Sequence, residues 1–501
     1  MDENLQRPFG EGNTPRIVIV GAGFSGIALG VKLLRAGIQT YDIYEMSPGL
    51  GGTWLDNTYP GCEVDVASHV YSYSFAPHDW TRTHASQREL LAYLERVADE
   101  FGVRAHIHCG TKVLDAAWDE RTHLWTVRLS TGATVSANIV VSAVGMLNQP
   151  KYPDWPGLDS FRGPRFHTAR WEHQHELAGK TVAVVGTGST AIQIVPAIAP
   201  IVKKVIQFQR EPGWITLKGD RDFTPEERDG FRRPLKRRRE RLRLSWLLER
   251  GVRGGAIYRP GTKTNTAREQ YCRALIAKIF ADRPDLAAAV TPTYPYPGKR
   301  PIFHSTYYQT LKRDNVELVP KAVASVTANA VVDADGVAHE VDVLVLATGF
   351  EAARYLPNLA VFGRDGKSIH DVWNGEPQAF LGLTVPGFPN FFMMYGPGTN
   401  GGELVSMFER QAEYVARVAR RMMRDGVTAV EVKRGWHERY NRWLQSKMQG
   451  TSWLLSRNYF TSPTGKVVTQ WPFGAILYGL LVKVAGPLSE TTRTLREPRG
   501  A

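Results

Sequence analysis

The sequence predicts an α/β fold with two dinucleotide-binding (Rossmann-like) domains and a helical insert. Three observations predict it. A β-branched apolar run leads into a glycine fingerprint and then into a helical apolar period twice, at Arg16–Gly26 and at Lys180–Ala191. The chain distance from Gly21 to Glu45 equals that from Gly186 to Arg210, so each fingerprint is followed by a second strand ending in the same slot. From Asp220 to Val290 the chain changes character and becomes basic and helix-forming.

A chain of 501 residues exceeds one ordinary core, and two or three domains are expected. Hydrophobic content of 43% and charged content of 22% are those of a soluble globular protein. A formal charge of +13 suits anionic ligands such as phosphates, and equally nucleic acid or an anionic membrane surface. Cys62, Cys109 and Cys272 are odd in number, widely spaced and form no CxxC, which points to a reduced, cytoplasmic setting. The polar N-terminus argues against a signal peptide, and residues 1–15 read as a frayed leader. No metal site is assigned.

Taken in order, Arg16–Val20 reads as a buried strand and Ile27–Ala36 as a helix stopped at Gly37. Between them Gly21 allows a tight turn, Gly23 lets a pyrophosphate approach the backbone, and Gly26 lets helix pack on strand. Phe24 and Ser25 complete this loop, whose helix N-terminus presents free N–H groups to phosphates. Gln39–Glu45 is a strand ending in an acid, and Glu45 is placed for ribose hydroxyls. Gly51–Asp65 is glycine-rich and aromatic and closes on an acid. Composition gives a loop packed near something flat, with Gly52, Thr53, Trp54 and Tyr59 as candidate contacts. Trp54 as an ordinary packing aromatic and Asp65 as a turn acid stay open.

Gln87–Phe101 predicts an amphipathic helix, and strand-like pieces at Leu124–Leu129 and Ala133–Val141 are expected to complete the first sheet. Gln149–Gly157 looks like a domain exit. Phe161, Gly163, His167 and Trp171 follow at the spacing Phe-x-Gly-x3-His-x3-Trp, on the seam between the nucleotide units. Alone, they describe a loop with a hydrogen-bonded histidine and packed aromatics.

The second unit places Gly186, Thr187, Gly188, Ser189 and Thr190 at the turn, before an apolar helix through Ile198. Its second strand ends in Arg210 where the first unit has an acid. An acid would repel a ribose 2′-phosphate, whereas a guanidinium can grip it with paired charge-assisted bonds. A solvated surface arginine is the alternative. Arg232–Leu248 is a strongly basic helix with Leu235, Leu242 and Trp246 at i, i+7 and i+11. Such a run is ordinarily a solvated face, with peripheral membrane contact as the alternative; no nucleic acid is expected. Ala267–Ile279 adds a helix. A proline-rich loop ends in Lys299 and Arg300, and Ile302–Arg313 is expected to be helical. Val341–Ala347 is a strand turning at Thr348 and Gly349, and Ser406–Met423 a long helix. Trp471–Val484 is apolar but too short to span a bilayer, so a core or interfacial piece is expected.

These motifs together resemble the type I Baeyer–Villiger monooxygenases, a family of class B flavoprotein monooxygenases, from about Arg16 to Pro472. Gly51–Asp65 matches the family's Gly-Gly-x-Trp-x4-Tyr-Pro-Gly-x3-Asp at every fixed position. Phe161–Trp171 matches its fingerprint, and Lys299-Arg300 precedes a Tyr307-Tyr308 pair as in relatives. Glu172, Gly298 and Gly398 depart from the usual residues. The resemblance implies FAD in the first unit and NADPH in the second. It further implies O2 and a ketone as substrates, and an ester or lactone formed through a C4a-peroxyflavin, with sulfoxidation as a side activity. It implies Arg300 as the catalytic residue facing the flavin, Asp65 as its support, and Lys299 as a second contact to the 2′-phosphate. Phe161–Trp171 would be a linker coupling domain motion to nicotinamide binding, and Phe388–Gly402 would return to the flavin.

The expected organisation is 1–150 for the first part of the FAD domain and 151–215 for the first part of the NADPH domain. The helical insert takes 216–294, the rest of the NADPH domain 295–345, and the rest of the FAD domain with the C-terminal segment 346–501. The working unit is expected to be a monomer or homodimer. Three rivals stand beside this reading. A flavin monooxygenase acting on nitrogen or sulfur usually carries Phe or Tyr where Trp171 stands. A pyridine nucleotide–disulfide reductase needs a redox cysteine pair, which the sequence lacks. From another class, the chain could be a basic membrane- or nucleic-acid-binding protein with vestigial nucleotide folds.

Overall fold

Two five-stranded parallel sheets organise the molecule, a computed structural model that describes residues 14–495. Most of the leader read into residues 1–15 lies outside the described residues. The first sheet runs in the order Phe391–Met393, Ile139–Ser142, Ile17–Val20, Tyr41–Tyr44, Ile107–His108. Ile17–Val20 is buried at all four positions, which is why it reads as a continuous apolar run and not an alternating one. The helix Phe24–Arg35 follows it and packs on the long helix Leu404–Asp425, which buries Val405, Phe408, Val415 and Met422 along one stripe.

The second sheet repeats the design in the order Val316–Val319, Lys204–Phe208, Thr181–Val185, Val343–Leu346, Arg165–His167. The crossing between the sheets is double. Pro150 bridges Phe350, the Lys151 amide donates to the Gly349 carbonyl (2.9 Å), and the Thr348 hydroxyl donates to the Lys151 carbonyl (2.6 Å).

Two expectations are corrected. Leu124–Leu129 does not join the first sheet. It pairs antiparallel with Val113–Asp119 and Thr134–Ala137, and with Ala360–Phe362 they form a separate four-stranded sheet; only Ile139–Ser142 enters the first. Its alternating burial, with one face covered, is that of an antiparallel layer. Ile302–Arg313 is not one helix: Ile302–Phe303 pairs with Ile215–Thr216, and the helix is only Tyr307–Thr310.

The insert contains the helices Pro225–Arg232, Pro234–Val252, Lys263–Ile279 and Pro284–Val290. A capping box between Thr224 and Glu227 starts the first. The basic helix is tied down along one edge. The Arg241 guanidinium donates to the His69 and Ser72 carbonyls at 2.8 and 2.9 Å, and with Ser245 it reaches the buried Glu403 carboxylate. The C-terminal apolar stretch becomes the helix Ala475–Ser489, packed on Leu404–Asp425. Among the described residues no helix is long and apolar enough to cross a membrane.

Candidate active site

The first glycine turn is closed by sterics. Gly21 adopts φ +108°, and a Cβ there would lie 2.7 Å from the Ala143 carbonyl oxygen; one on Gly26 would lie 2.0 Å from that of Gly21. Gly23 faces Gly52, whose Cβ would approach the Gly23 Cα at 3.1 Å, and the Gly51 amide donates to the Ala22 carbonyl at 3.0 Å. The two glycine segments therefore form one cradle. Glu45, 7% exposed at the end of its strand, accepts from the Ala22 and Ser47 amides, both at 2.8 Å. Burial pushes its carboxyl up, and these two bonds oppose the push. Phe24 and Ser25 are buried, with Phe24 packed against Tyr71 and Tyr73, while Thr53 is exposed at the start of the turn Thr53–Asp56. Trp54 is buried and meets the Tyr71 ring edge-on at 5.6 Å.

The second turn repeats the first: a Cβ on Gly186, at φ +135°, would lie 2.3 Å from the Ala347 carbonyl oxygen. Gly188 has open space where its Cβ would point. The helix Ser189–Ile198 begins without a side-chain cap, as does Phe24–Arg35, so the first N–H groups of each stay free for an anion. Arg210 is exposed at the strand end with no ion pair among the described residues. The Thr187 hydroxyl donates to the Glu211 carbonyl at 2.8 Å and pins this corner beside the glycine turn. Lys299 is brought to the same corner but is ion-paired with Glu211, with its ammonium 5.0 Å from the Tyr294 ring centroid. The uncapped turns, the open space over Gly188, the buried acid in one unit and the free guanidinium in the other fit two dinucleotides, the second carrying a phosphate at its ribose.

Arg300 and Asp65 meet across this arrangement: the guanidinium Nη2 donates to the carboxylate at 2.6 Å. Burial pushes the Asp65 carboxyl up, but the charge and hydrogen bond of Arg300 override it and hold it below the usual range, with Lys218 assisting. The Asp65 charge in turn raises Arg300 above its ordinary value. Sequence reasoning missed the neighbours of this pair. Tyr395 and Tyr459 lie within its field, and so does Tyr71, whose phenol burial pushes up to about 12. Tyr395 fell in a stretch expected near the flavin; Tyr459 carried no signal. A buried ion pair of 2.6 Å between Lys218 and Glu63, two residues before Asp65, locks the start of the insert to this loop. A cavity of about 610 Å³ opens where the insert faces the segments that follow this loop, lined by Ala67, His69 and His84 and, from the insert, by Phe223, Phe231 and Leu244 together with the charged Arg221, Glu227, Lys236, Arg239, Glu240 and Arg243.

His167 joins the linker to the domain crossing. Its Nδ1 accepts from the Ala169 amide at 3.1 Å, so its Nε2–H donates to the Gly349 carbonyl, also at 3.1 Å. Burial pushes the ring down to about 4, so it is neutral at physiological pH. Phe161 is buried in the second unit, and a Cβ on Gly163 would lie 2.2 Å from the Asp342 carbonyl oxygen. Trp171 meets Phe166 edge-on at 5.0 Å. Tyr59 is placed between the units, its hydroxyl donating to Gln193 at 2.9 Å on the helix Ser189–Ile198. Its phenol therefore serves the contact between the nucleotide units.

Residues 18–224 match the family model described as pyridine nucleotide-disulphide oxidoreductase. That model reflects the shared nucleotide-binding layout, since all three cysteines here are free. A Baeyer-Villiger monooxygenase of Pseudomonas aeruginosa is 39% identical over 464 residues, covering 91% of this chain and 87% of that protein. One of Streptomyces coelicolor is 38% identical over 465 residues, covering 91% and 88%. Among solved structures, a closed cyclohexanone monooxygenase superposes with a TM-score of 0.87 at 31% identity, covering 96% of this chain and 99% of that one. An oxidised steroid monooxygenase bound to NADP gives 0.86 at 29% identity, covering 96% and 99%. With likeness running nearly end to end in both sequence and fold, this chain belongs to the type I Baeyer–Villiger monooxygenases.

Proposed function

We propose that the chain oxidises ketones to esters or lactones with FAD, NADPH and O2, and that Arg300 carries the charge stabilisation this reaction needs. The observation that carries the assignment is the 2.6 Å contact of Arg300 with Asp65 beside the first glycine cradle. The first unit, with Glu45 at its strand end, holds FAD; the second, with Arg210, holds NADPH. FAD reduced by NADPH supplies the activation of oxygen.

The residues of this chain supply placement and charge. Arg300 is protonated at any working pH and has five N–H donors, of which Asp65 takes one, at Nη2. The remaining donors face negative charge developing on the ketone oxygen as its carbonyl becomes tetrahedral. One such preorganised donor contributes about 100- to 1000-fold in rate. Asp65 stays ionised, fixes the guanidinium plane and offsets its charge, so that Arg300 can sit half-buried without a second anion. Neutral His167 takes no part in proton transfer; it ties the linker to Gly349, so movement of the second unit is felt at the crossing. The insert walls the ketone site. The working unit is a monomer or homodimer in the cytoplasm, in keeping with three free thiols.

The test is purified protein with NADPH, labelled oxygen gas, and a panel of ketones and thioethers. An ester or lactone carrying one labelled atom supports the reading. Sulfoxide without ester overturns it in favour of heteroatom oxidation, which needs no oxyanion donor.

A further inference from the structure

Four large aliphatic side chains lie in an exposed row on the helix Ala475–Ser489. Ile476 is 72% exposed, Leu480 57%, Val484 52% and Leu488 59%. They recur every fourth residue, so they share one side of the helix over about 18 Å. Lys483 is the other exposed residue of this helix, while its opposite side, with Tyr478 and Val482, is sealed into the core.

The row adjoins the basic helix Pro234–Val252. The Glu249 carboxylate of that helix accepts from the Ile476 amide at 2.9 Å, where the apolar helix begins. The basic helix exposes its own apolar residues, Leu235, Leu242 and Trp246, at positions that share a side. Around them Arg233, Lys236, Arg238, Arg239 and Arg250 are exposed, with no ion pair among the described residues; Arg250 lies over the Trp246 ring at 5.1 Å.

We propose that these two helices form a docking surface for an anionic lipid bilayer. The Ile476–Leu488 row lies in the plane of the interface among the acyl chains, and the unpaired cations of Pro234–Val252 meet the headgroup charge. Exposed aliphatics bordered by a tryptophan and unpaired arginines are what an interfacial helix requires. A second copy of the chain suits the face less well, because a two-fold contact would bring the cationic helices of both copies to one interface. The helix is too short to span, so the association is peripheral and reversible by salt.

The experiment is co-sedimentation of the full-length, FAD-loaded protein with phosphatidylcholine vesicles, and with vesicles in which phosphatidylglycerol replaces part of that lipid. Wild-type protein is expected to pellet with the anionic vesicles, to stay in solution with pure phosphatidylcholine, and to be released by high salt. Leu480→Asp and Val484→Asp abolish pelleting, and Arg238→Gln or Arg239→Gln weaken it about five-fold each. All four retain their flavin spectrum and melting temperature, because the changed side chains are exposed. Three results overturn the proposal. One is wild-type protein that stays in solution with both vesicle types. Another is a dimer that Leu480→Asp dissociates while vesicle binding is absent, which assigns the face to a second copy. The third is binding that appears only after residues 1–13 or 496–501 are removed, which assigns it to a terminal segment.

Discussion

Asp65 and Arg300 stand 235 positions apart in the chain and 2.6 Å apart in the fold. Asp65 closes the loop that begins at the Gly51–Gly52 cradle of the first unit; Arg300 closes the proline-rich loop that leaves the insert. Their contact is where three parts of the molecule meet. It gives a permanently charged donor a fixed direction, because a bound carboxylate restricts the guanidinium plane.

Removing the carboxylate alone tests that direction. Asp65→Ala leaves Arg300 charged but free to reorient, and displacement of a catalytic group by about 1 Å can cost up to 100-fold. The expected result is a fall in kcat for ester formation of that order, with FAD retained and KM for NADPH unchanged. Asp65→Asn, which keeps an acceptor without the charge, should fall between. Stopped-flow and steady-state kinetics read both.

At the second unit the geometry ranks the two cations. Arg210 is free, whereas Lys299 is already paired with Glu211. Arg210→Gln should raise KM for NADPH by about 10- to 100-fold, the worth of one or two charge-assisted bonds, and leave NADH almost unaffected. Lys299→Gln should have a smaller effect. Glu211→Gln should lower KM for NADPH by releasing Lys299. Equal effects of Arg210→Gln on NADPH and NADH would remove Arg210 from the 2′-phosphate.

A single methyl should separate the two nucleotide sites. Gly186→Ala places a Cβ 2.3 Å from the Ala347 carbonyl oxygen at a φ of +135° that L-residues rarely adopt. The variant is expected to purify yellow, with bound FAD, and to fail to be reduced by NADPH, while dithionite still bleaches it. Normal reduction by NADPH would contradict the assignment of this turn.

Stability should fall steeply in mild acid. Burial pushes His69, His78, His84, His167, His304 and His437 down to about 4 from an ordinary 6.5. The unfolded chain takes up protons below pH 6.5 that the folded one refuses. The contribution is therefore complete above pH 6.5 and is lost as pH falls towards 4. Melting temperature measured across that window should decline throughout, and a flat profile would show that these rings are solvated.

What the sequence made legible was local. Gly21, Gly23 and Gly26 could be read because turn sterics act over a few residues, and the exposed place of Arg210 after the second strand because the two units share a register. Arg300 and Asp65 could be paired only through resemblance, since nothing in their own neighbourhoods points across 235 positions. Tyr459 was invisible for the same reason. The sheet chosen by Leu124–Leu129 was misread because a strand pattern reports which faces are buried, not which partner buries them. Glu211 went unread because pairing with Lys299 depends on where two loops meet.

The most direct measurement compares wild-type protein with Arg300→Ala, each supplied with NADPH, labelled oxygen and a ketone that wild-type protein converts. The variant should bind FAD and consume NADPH, but its labelled ester should fall by about 100-fold or more, with peroxide released instead. Ester formed at the wild-type rate would contradict the placing of the reaction's charge stabilisation on Arg300.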